Sequence, residues 1–359
     1  MSYVASLLSF LFSSAHTASA HVAYVADTKT LEATAGTDFT FLLSPFNDTN
    51  NIVMMICLLL MLGASYYLAH HLPAFVKELS YVKKQLQSYQ DYVPWILRLG
   101  LGIMLMGAGM HSVLISPISP TIISVAALEF IVGFAVLFGF LLTPGLLIII
   151  GFYLTGLFNN GYMFGNLEVF GSAIALFLIA SNKPGFDHLV GIPMLFRDRL
   201  KKYAPLILRI ALGGAFIFLA FYEKIFNPHF FSTVVESFNL TSIIPVTPAM
   251  WTLSVGLIEL IVGLCIIFGF KTRVTSAIAF VVFICTFFFF KESVYSHVTI
   301  FAGLSSLFIM GGGYLSIDEH IAHKTERGRS TSRKLSGTKT TITRKPRKKT
   351  TNKRKPKTA

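Results

Sequence analysis

The chain is predicted to be an all-α polytopic membrane protein of about nine transmembrane helices, built as two four-helix bundles in a parallel repeat plus one extra helix. Three observations predict this. Of 359 residues, 53% are hydrophobic and only 13% charged, and several apolar stretches exceed the roughly 18 residues that a membrane-spanning helix requires. Second, Ser124, Glu129, Val132, Gly133, Phe138, Gly139 and Phe140 recur as Ser254, Glu259, Val262, Gly263, Phe268, Gly269 and Phe270 at a constant offset of 130. Third, with nine helices every strong Lys/Arg cluster falls on one side, as the positive-inside rule demands.

The repeat extends beyond the glutamate helices. Pro94 to Arg98 (PWILR) answers Pro205 to Arg209 (PLILR), and Pro117 falls on Pro228, both at an offset of 111. The 19-residue difference between the offsets is expected to be a longer loop in the second copy, roughly Pro228 to Met250. Val169 onward answers Ile300 onward, so the units are expected at 93–183 and 204–314. Four helices per unit, an even number, give both copies the same orientation.

Residues 1–20 carry a short apolar run and end in Ala18-Ser19-Ala20, which reads as a signal peptide with an A-x-A cleavage site. Residues 21–50 are expected outside the membrane and contain the sequon Asn47-Asp48-Thr49. Residues 51–92 read as a helix at 52–68, followed by Lys77, Lys83 and Lys84 and by Phe75, Leu79, Val82, Leu86 and Tyr89 at helical spacing, an amphipathic helix on the inner surface. The eight repeat helices are expected near 94–115, 121–142, 145–159, 167–182, 205–222, 250–270, 274–290 and 297–314, with a basic linker at 184–203. Residues 315–359 hold 15 Lys and Arg against three acids, so this tail carries +12 of the net +13. Its composition predicts a disordered cytoplasmic segment that adsorbs to anionic lipid headgroups rather than nucleic acid. The mature amino terminus is thus expected outside the cell membrane and the carboxyl terminus inside.

The residues around Arg209 and Glu259 carry a family resemblance. RIALGGAFIFLAFYEKIFNP followed by VGLIELIVGLCIIFGFKTR resembles the DoxX/DoxD family of four-helix membrane proteins, through Arg209, Lys224, Pro228, Glu259, Gly263, Gly269 and Arg273. The first unit matches in part: Arg98, Pro117, Glu129, Gly133 and Gly139 are kept, but Val113 stands in place of the Lys and Thr143 in place of the exit Arg. The resemblance implies a membrane component of a quinone-linked oxidoreductase, like the membrane subunit of thiosulfate:quinone oxidoreductase, working with other redox subunits.

A carboxylate within an apolar span is a functional-site hypothesis by default. A carboxyl in a low-dielectric site keeps its proton and can donate it to a quinone, which makes Glu259, and then Glu129, the candidate catalytic residues. The other reading is that both are hydrogen-bonded packing residues. Lys224 is the candidate anion contact at the outer mouth, and Arg209, Arg273 and Arg98 the candidate charge partners or anchors. His21, His111, His229 and His297 all belong near the outer surface, but their separations fit no metal motif, so no metal is expected. Cys57, Cys265 and Cys285 are isolated, which argues against disulfide exchange, and the chain has no haem or nucleotide motif. A scaffold without chemistry, or a proton-coupled transporter of small solutes, would also suit two like units each with a buried acid.

Overall fold

The computed structural model describes residues 22, 31, 33–57, 60, 67, 85–117, 119–179, 181, 183–192 and 198–324. The expected signal at 1–20, most of the first helix at 52–68 and of the amphipathic helix after it, and residues 325–359 of the basic tail lie outside the described residues; the start of the tail, expected to be disordered from 315, is instead helical at 317–324. Residues 49–57 are helical, where the extra helix begins. The first compact unit ends at Asp318, and the architecture is that unit's.

The first four-helix unit comprises α1 (Val93–Met110), α2 (Ile123–Phe138), α3 (Leu142–Asn159) and α4 (Leu167–Ile179). The second comprises α5 (Ala204–Leu219), continued by a π-helical turn at Ala220–Phe226, then α6 (Pro228–Ser237), α7 (Pro248–Phe268), α8 (Thr272–Phe290) and α9 (Val294–Met310). Among the described residues six helical stretches are long and apolar enough to cross a membrane, and α2 and α9 are shorter apolar helices. The chain is an all-α polytopic membrane protein.

One expectation fails. Residues 228–250 are not simply a loop, because α6 and a 3-10 turn at Leu240–Ser242 occupy them. Phe230, Val234 and Val235 recur at helical spacing and are buried, while Pro228 presets the first turn. That apolar face packs on α7 and on the π turn.

The two units repeat the same local geometry. Pro94 and Pro205 open α1 and α5, and the preceding Tyr92 and Tyr203 share the same backbone angles, φ −86° and ψ −13°. Helices α2 and α7 end on Gly139 and Gly269 in the left-handed region, at φ 67° and 63°. Both glycines also leave room for an arginine: a Cβ at Gly139 would lie 2.1 Å from Arg98 Nη1, and one at Gly269 2.0 Å from Arg209 Nη1. At the next helix, Asp187 accepts the N–H groups of Leu141 and Leu142, each at 2.8 Å. Asp318 accepts those of Lys271 and Thr272 at 2.7 and 2.8 Å. These aspartates satisfy the donors that a helix start leaves open.

The units are joined by exchange: α1 packs along α9 and α5 along α4, so each unit's first helix lies against the other unit's last. Small residues make the close approach at matched positions. A Cβ at Gly100 would lie 2.5 Å from the Cβ of Ala302, and a Cβ at Gly171 2.0 Å from that of Ala211. Without a hydrophobic drive inside lipid, such small-residue contacts and interhelical hydrogen bonds hold helices together. Leu97, Leu101, Leu208, Leu212, Leu304 and Leu307 from the exchanged helices fill one shared core. Glu168 on α4 meets Thr299 on α9 across this interface, with Thr299 Oγ1 donating at 3.4 Å.

Candidate functional site

The site forms where α5 gives way to its π turn. The wider turn of Ala220–Phe226 buries two adjacent charged residues, Glu223 and Lys224, with 0% and 6% of their side chains exposed. Such π turns are common at functional sites. Opposite them, α7 crosses α5 at a glycine pair: a Cβ at Gly213 would lie 2.6 Å from the Gly263 carbonyl oxygen, and one at Gly263 2.8 Å from that of Gly213. The E-x-x-x-G spacing has a physical cause here. Gly263 lies one turn from Glu259 on the same face, so the close crossing brings the glutamate against α5. Gly256, three residues on the other side, makes room for the stem of Lys224, whose Cβ lies 2.9 Å from where a Cβ would stand.

Lys224 Nζ lies 2.5 Å from Glu223 Oε2 and 3.1 Å from Glu259 Oε2. Glu223 Oε1 accepts the Tyr162 hydroxyl at 2.8 Å and the Val22 backbone N–H at 3.3 Å. The result is a continuous polar chain, Tyr162–Glu223–Lys224–Glu259, from the first unit into the second. Two carboxylates answer one ammonium, so Lys224 has no surplus positive charge with which to draw an anion, contrary to the role its position suggested. Glu223 and Tyr162 escape sequence reading. Glu223 beside Lys224 resembles an ordinary helix-end pair, and Tyr162 comes from a 3-10 turn, Gly161–Asn166, in the other unit.

Glu259, with 20% of its side chain exposed, faces a cavity of about 360 Å³ between α5, α7 and α8. The walls are apolar, from Phe216, Val255, Val262, Ala279, Phe283 and their neighbours. Lining residues on α8 run from Ile278 to Phe290, which at 1.5 Å per residue gives a length of about 18 Å. Ile258, Ile278 and Val282 line the cavity and are also exposed on the outer face of the helices, at 50%, 55% and 46%. The cavity therefore has an edge on the lipid-facing surface between α7 and α8.

The remaining candidates lie apart. Glu129, fully buried, accepts the Ile115 N–H at 2.8 Å and pins a loop in which Ile115 holds φ 62°. Equivalent carboxylates thus meet a backbone amide in one unit and a lysine in the other. Arg209 is 15 residues before Lys224, about 22 Å along the helix. Its guanidinium donates to the Tyr314 and Leu315 carbonyls at 2.9 and 3.2 Å, and Arg98 donates to the Pro184 carbonyl. Arg273 caps α9 by donating to Phe308, Ile309 and Met310 carbonyls at 3.1, 3.1 and 3.2 Å. Arg273 thus holds the end of α9, and Arg98 and Arg209 hold the segments that follow α4 and α9, at the far end of the bundle from Lys224.

The histidines are dispersed. His111 stacks on Tyr295 with ring centroids 4.7 Å apart. His229 Nε2 lies 3.1 Å from Asp38 Oδ2, and His297 Nε2 lies 2.9 Å from Glu292 Oε2. His21 lies outside the described residues. Among the described residues no three metal-ligating side chains gather, and the free cysteines Cys57, Cys265 and Cys285 lie on separate helices.

The amino-terminal segment is attached to the second unit by more than Val22. Gly36 N–H donates to Asn227 Oδ1 at 3.0 Å, Asp38 meets His229, and Asn51 Nδ2 donates to Thr247 Oγ1 at 3.1 Å. Asp38 is held down at about 2 by the Thr40 hydroxyl first, then the Phe41 N–H and His229.

No curated protein and no solved structure matches the chain. The family model described as DoxX matches residues 204–292, from the start of α5 to just past α8, a stretch that contains Glu223, Lys224, Glu259 and most of the cavity wall. By that match residues 204–292 of this membrane protein are similar to DoxX.

Proposed function

We propose that the protein is a membrane component of a quinone-linked oxidoreductase and that the cavity beside Glu259 holds a lipid-soluble quinone. The observation that carries this reading is the apolar cavity with an edge on the lipid-facing surface and a buried Lys–Glu pair on its wall. A quinone reaches its site through the bilayer, needs an apolar enclosure of a few hundred Å³, and needs a proton donor or acceptor at its ring oxygens. Lys224 has three N–H donors and uses two on Glu223 and Glu259. The third is available to a carbonyl oxygen, and Glu259 is placed to exchange a proton with the same atom. The sequence has no haem, nucleotide or disulfide-exchange motif, which favours electrons from a partner subunit or directly from a reduced substrate.

The test is native mass spectrometry of the protein extracted gently from its own membranes, comparing wild type with Glu259→Gln. The expected result is a quinone-mass adduct in the wild type that is depleted at least tenfold in the variant. A clean apoprotein mass accompanied by stoichiometric partner subunits would replace this reading with that of a scaffold.

A further inference from the structure

The cavity has a second polar station, which the glutamate motif does not include. Glu292, in the link between α8 and α9, and His297, in the first turn of α9, both line it. Glu292 is half-buried and His297 buried, with 12% and 8% of their side chains exposed, and His297 Nε2 lies 2.9 Å from Glu292 Oε2. Behind them the Ser296 hydroxyl donates to the Ser293 carbonyl at 2.7 Å and lies 2.8 Å from His297 Nδ1. The imidazole is thus held between the Ser296 hydroxyl at Nδ1 and the Glu292 carboxyl at Nε2, which fixes the ring and the carboxyl against each other at the cavity wall.

A carboxyl group accepts from a hydroxyl when ionised and donates to a carbonyl when protonated. The rest of the wall between this pair and Lys224–Glu259 is mainly aliphatic and aromatic. A ligand suited to such a cavity has an apolar body and two oxygens at separate positions, each of which exchanges a proton. We infer that Glu292–His297 is the second oxygen-binding station of this cavity: one ring oxygen of a 1,4-quinone meets Lys224–Glu259 and the other meets Glu292. His297 is then a positioning residue that orients the Glu292 carboxyl. This inference rests on the quinone reading of the cavity and adds the residues that meet the second oxygen.

The test uses the full-length protein in lipid nanodiscs and a benzoquinone with two isoprene units, labelled with carbon-13 at one carbonyl or the other. Infrared difference spectra report each carbonyl separately. In the wild type both stretches are expected to shift to lower frequency on binding. Glu259→Gln should alter the shift of one labelled carbonyl and leave the other. Glu292→Gln and His297→Leu should each alter the shift of the opposite carbonyl alone, with affinity falling about tenfold in His297→Leu. A merely structural role would move both carbonyls together or neither. Bound quinone whose two stretches are unaffected in both Glu292→Gln and His297→Leu would overturn the second station while leaving the quinone reading intact. A wild-type protein that binds no labelled quinone would overturn both.

Discussion

Lys224→Met removes the one cation from a buried group of two carboxylates. The contacts at 2.5 and 3.1 Å correspond to attractions of about 7 and 5 kcal/mol between unit charges at an effective dielectric constant of about 20. Burial offsets much of this, at several kcal/mol per ion, so the intact cluster contributes little net stability. Its breakage is different. With the lysine gone, Glu223 and Glu259 face each other without compensation, and a buried pair that loses one partner costs about 3–5 kcal/mol. At about 2–3 °C per kcal/mol for a protein of this size, the melting temperature should fall by about 6–15 °C. The assay is thermal unfolding in nanodiscs, followed by tryptophan fluorescence from Trp251 at the cavity wall. Neutralising the carboxylates as well, in Lys224→Met/Glu223→Gln/Glu259→Gln, should recover more than half of the loss, because the uncompensated charge is then gone. A single variant that melts within 1 °C of wild type, or a triple variant less stable than the single, would refute this account of the cluster.

Two further outcomes follow from the geometry. Gly263→Ala should destabilise the protein by about 1–3 kcal/mol, since its Cβ would stand 2.8 Å from the Gly213 carbonyl oxygen. Gly151→Ala on α3, where a Cβ meets nothing within 4 Å, should be neutral or stabilising by up to about 1 kcal/mol, as read from paired thermal melts. At the amino-terminal segment, the folded Asp38 carboxyl lies at about 2, below its ordinary 3.8, so the attachment it makes is fully present above pH about 4 and is lost as pH falls through about 2. Pepsin cleavage around Phe39–Leu43 should therefore increase from pH 4 to pH 2 relative to the rest of the chain, whereas Asp38→Asn should show the raised cleavage already at pH 4.

Helix placement was legible because apolar length and proline or glycine punctuation are local signals. All eight repeat helices lie within a few residues of their expected positions. The α6 helix was hidden by arithmetic: 19 inserted residues with polar Ser, Thr and Asn look like a loop unless the spacing of Phe230, Val234 and Val235 is weighed. The site itself was half legible. Lys224 and Glu259 stand out as charges in apolar helices, but Glu223 owes its role to Tyr162, 61 residues away, and Glu292 to a cavity wall shared with Lys224 and Glu259, which no local pattern encodes. Arg209 and Arg273 read as anchors or as charge partners of the buried acid, and the length of α5 and the path of the α9 carboxyl end favour the anchor. The segment after residue 21 reads as a polar export, yet Val22 and Leu31 are buried.

The exchange of first and last helices between units makes the molecule a closed pair rather than two beads on a string. The half that carries the DoxX match cannot complete its own core: Ala211 needs the groove at Gly171, and Glu223 needs the hydroxyl of Tyr162. A single unit built on this plan would leave one flank of α5 and one flank of α9 bare, and the natural cover for them is the matching flanks of a second copy. Having both halves in one chain fixes that pairing at a ratio of one to one, with a lysine at the carboxylate in one half and a backbone amide in the other.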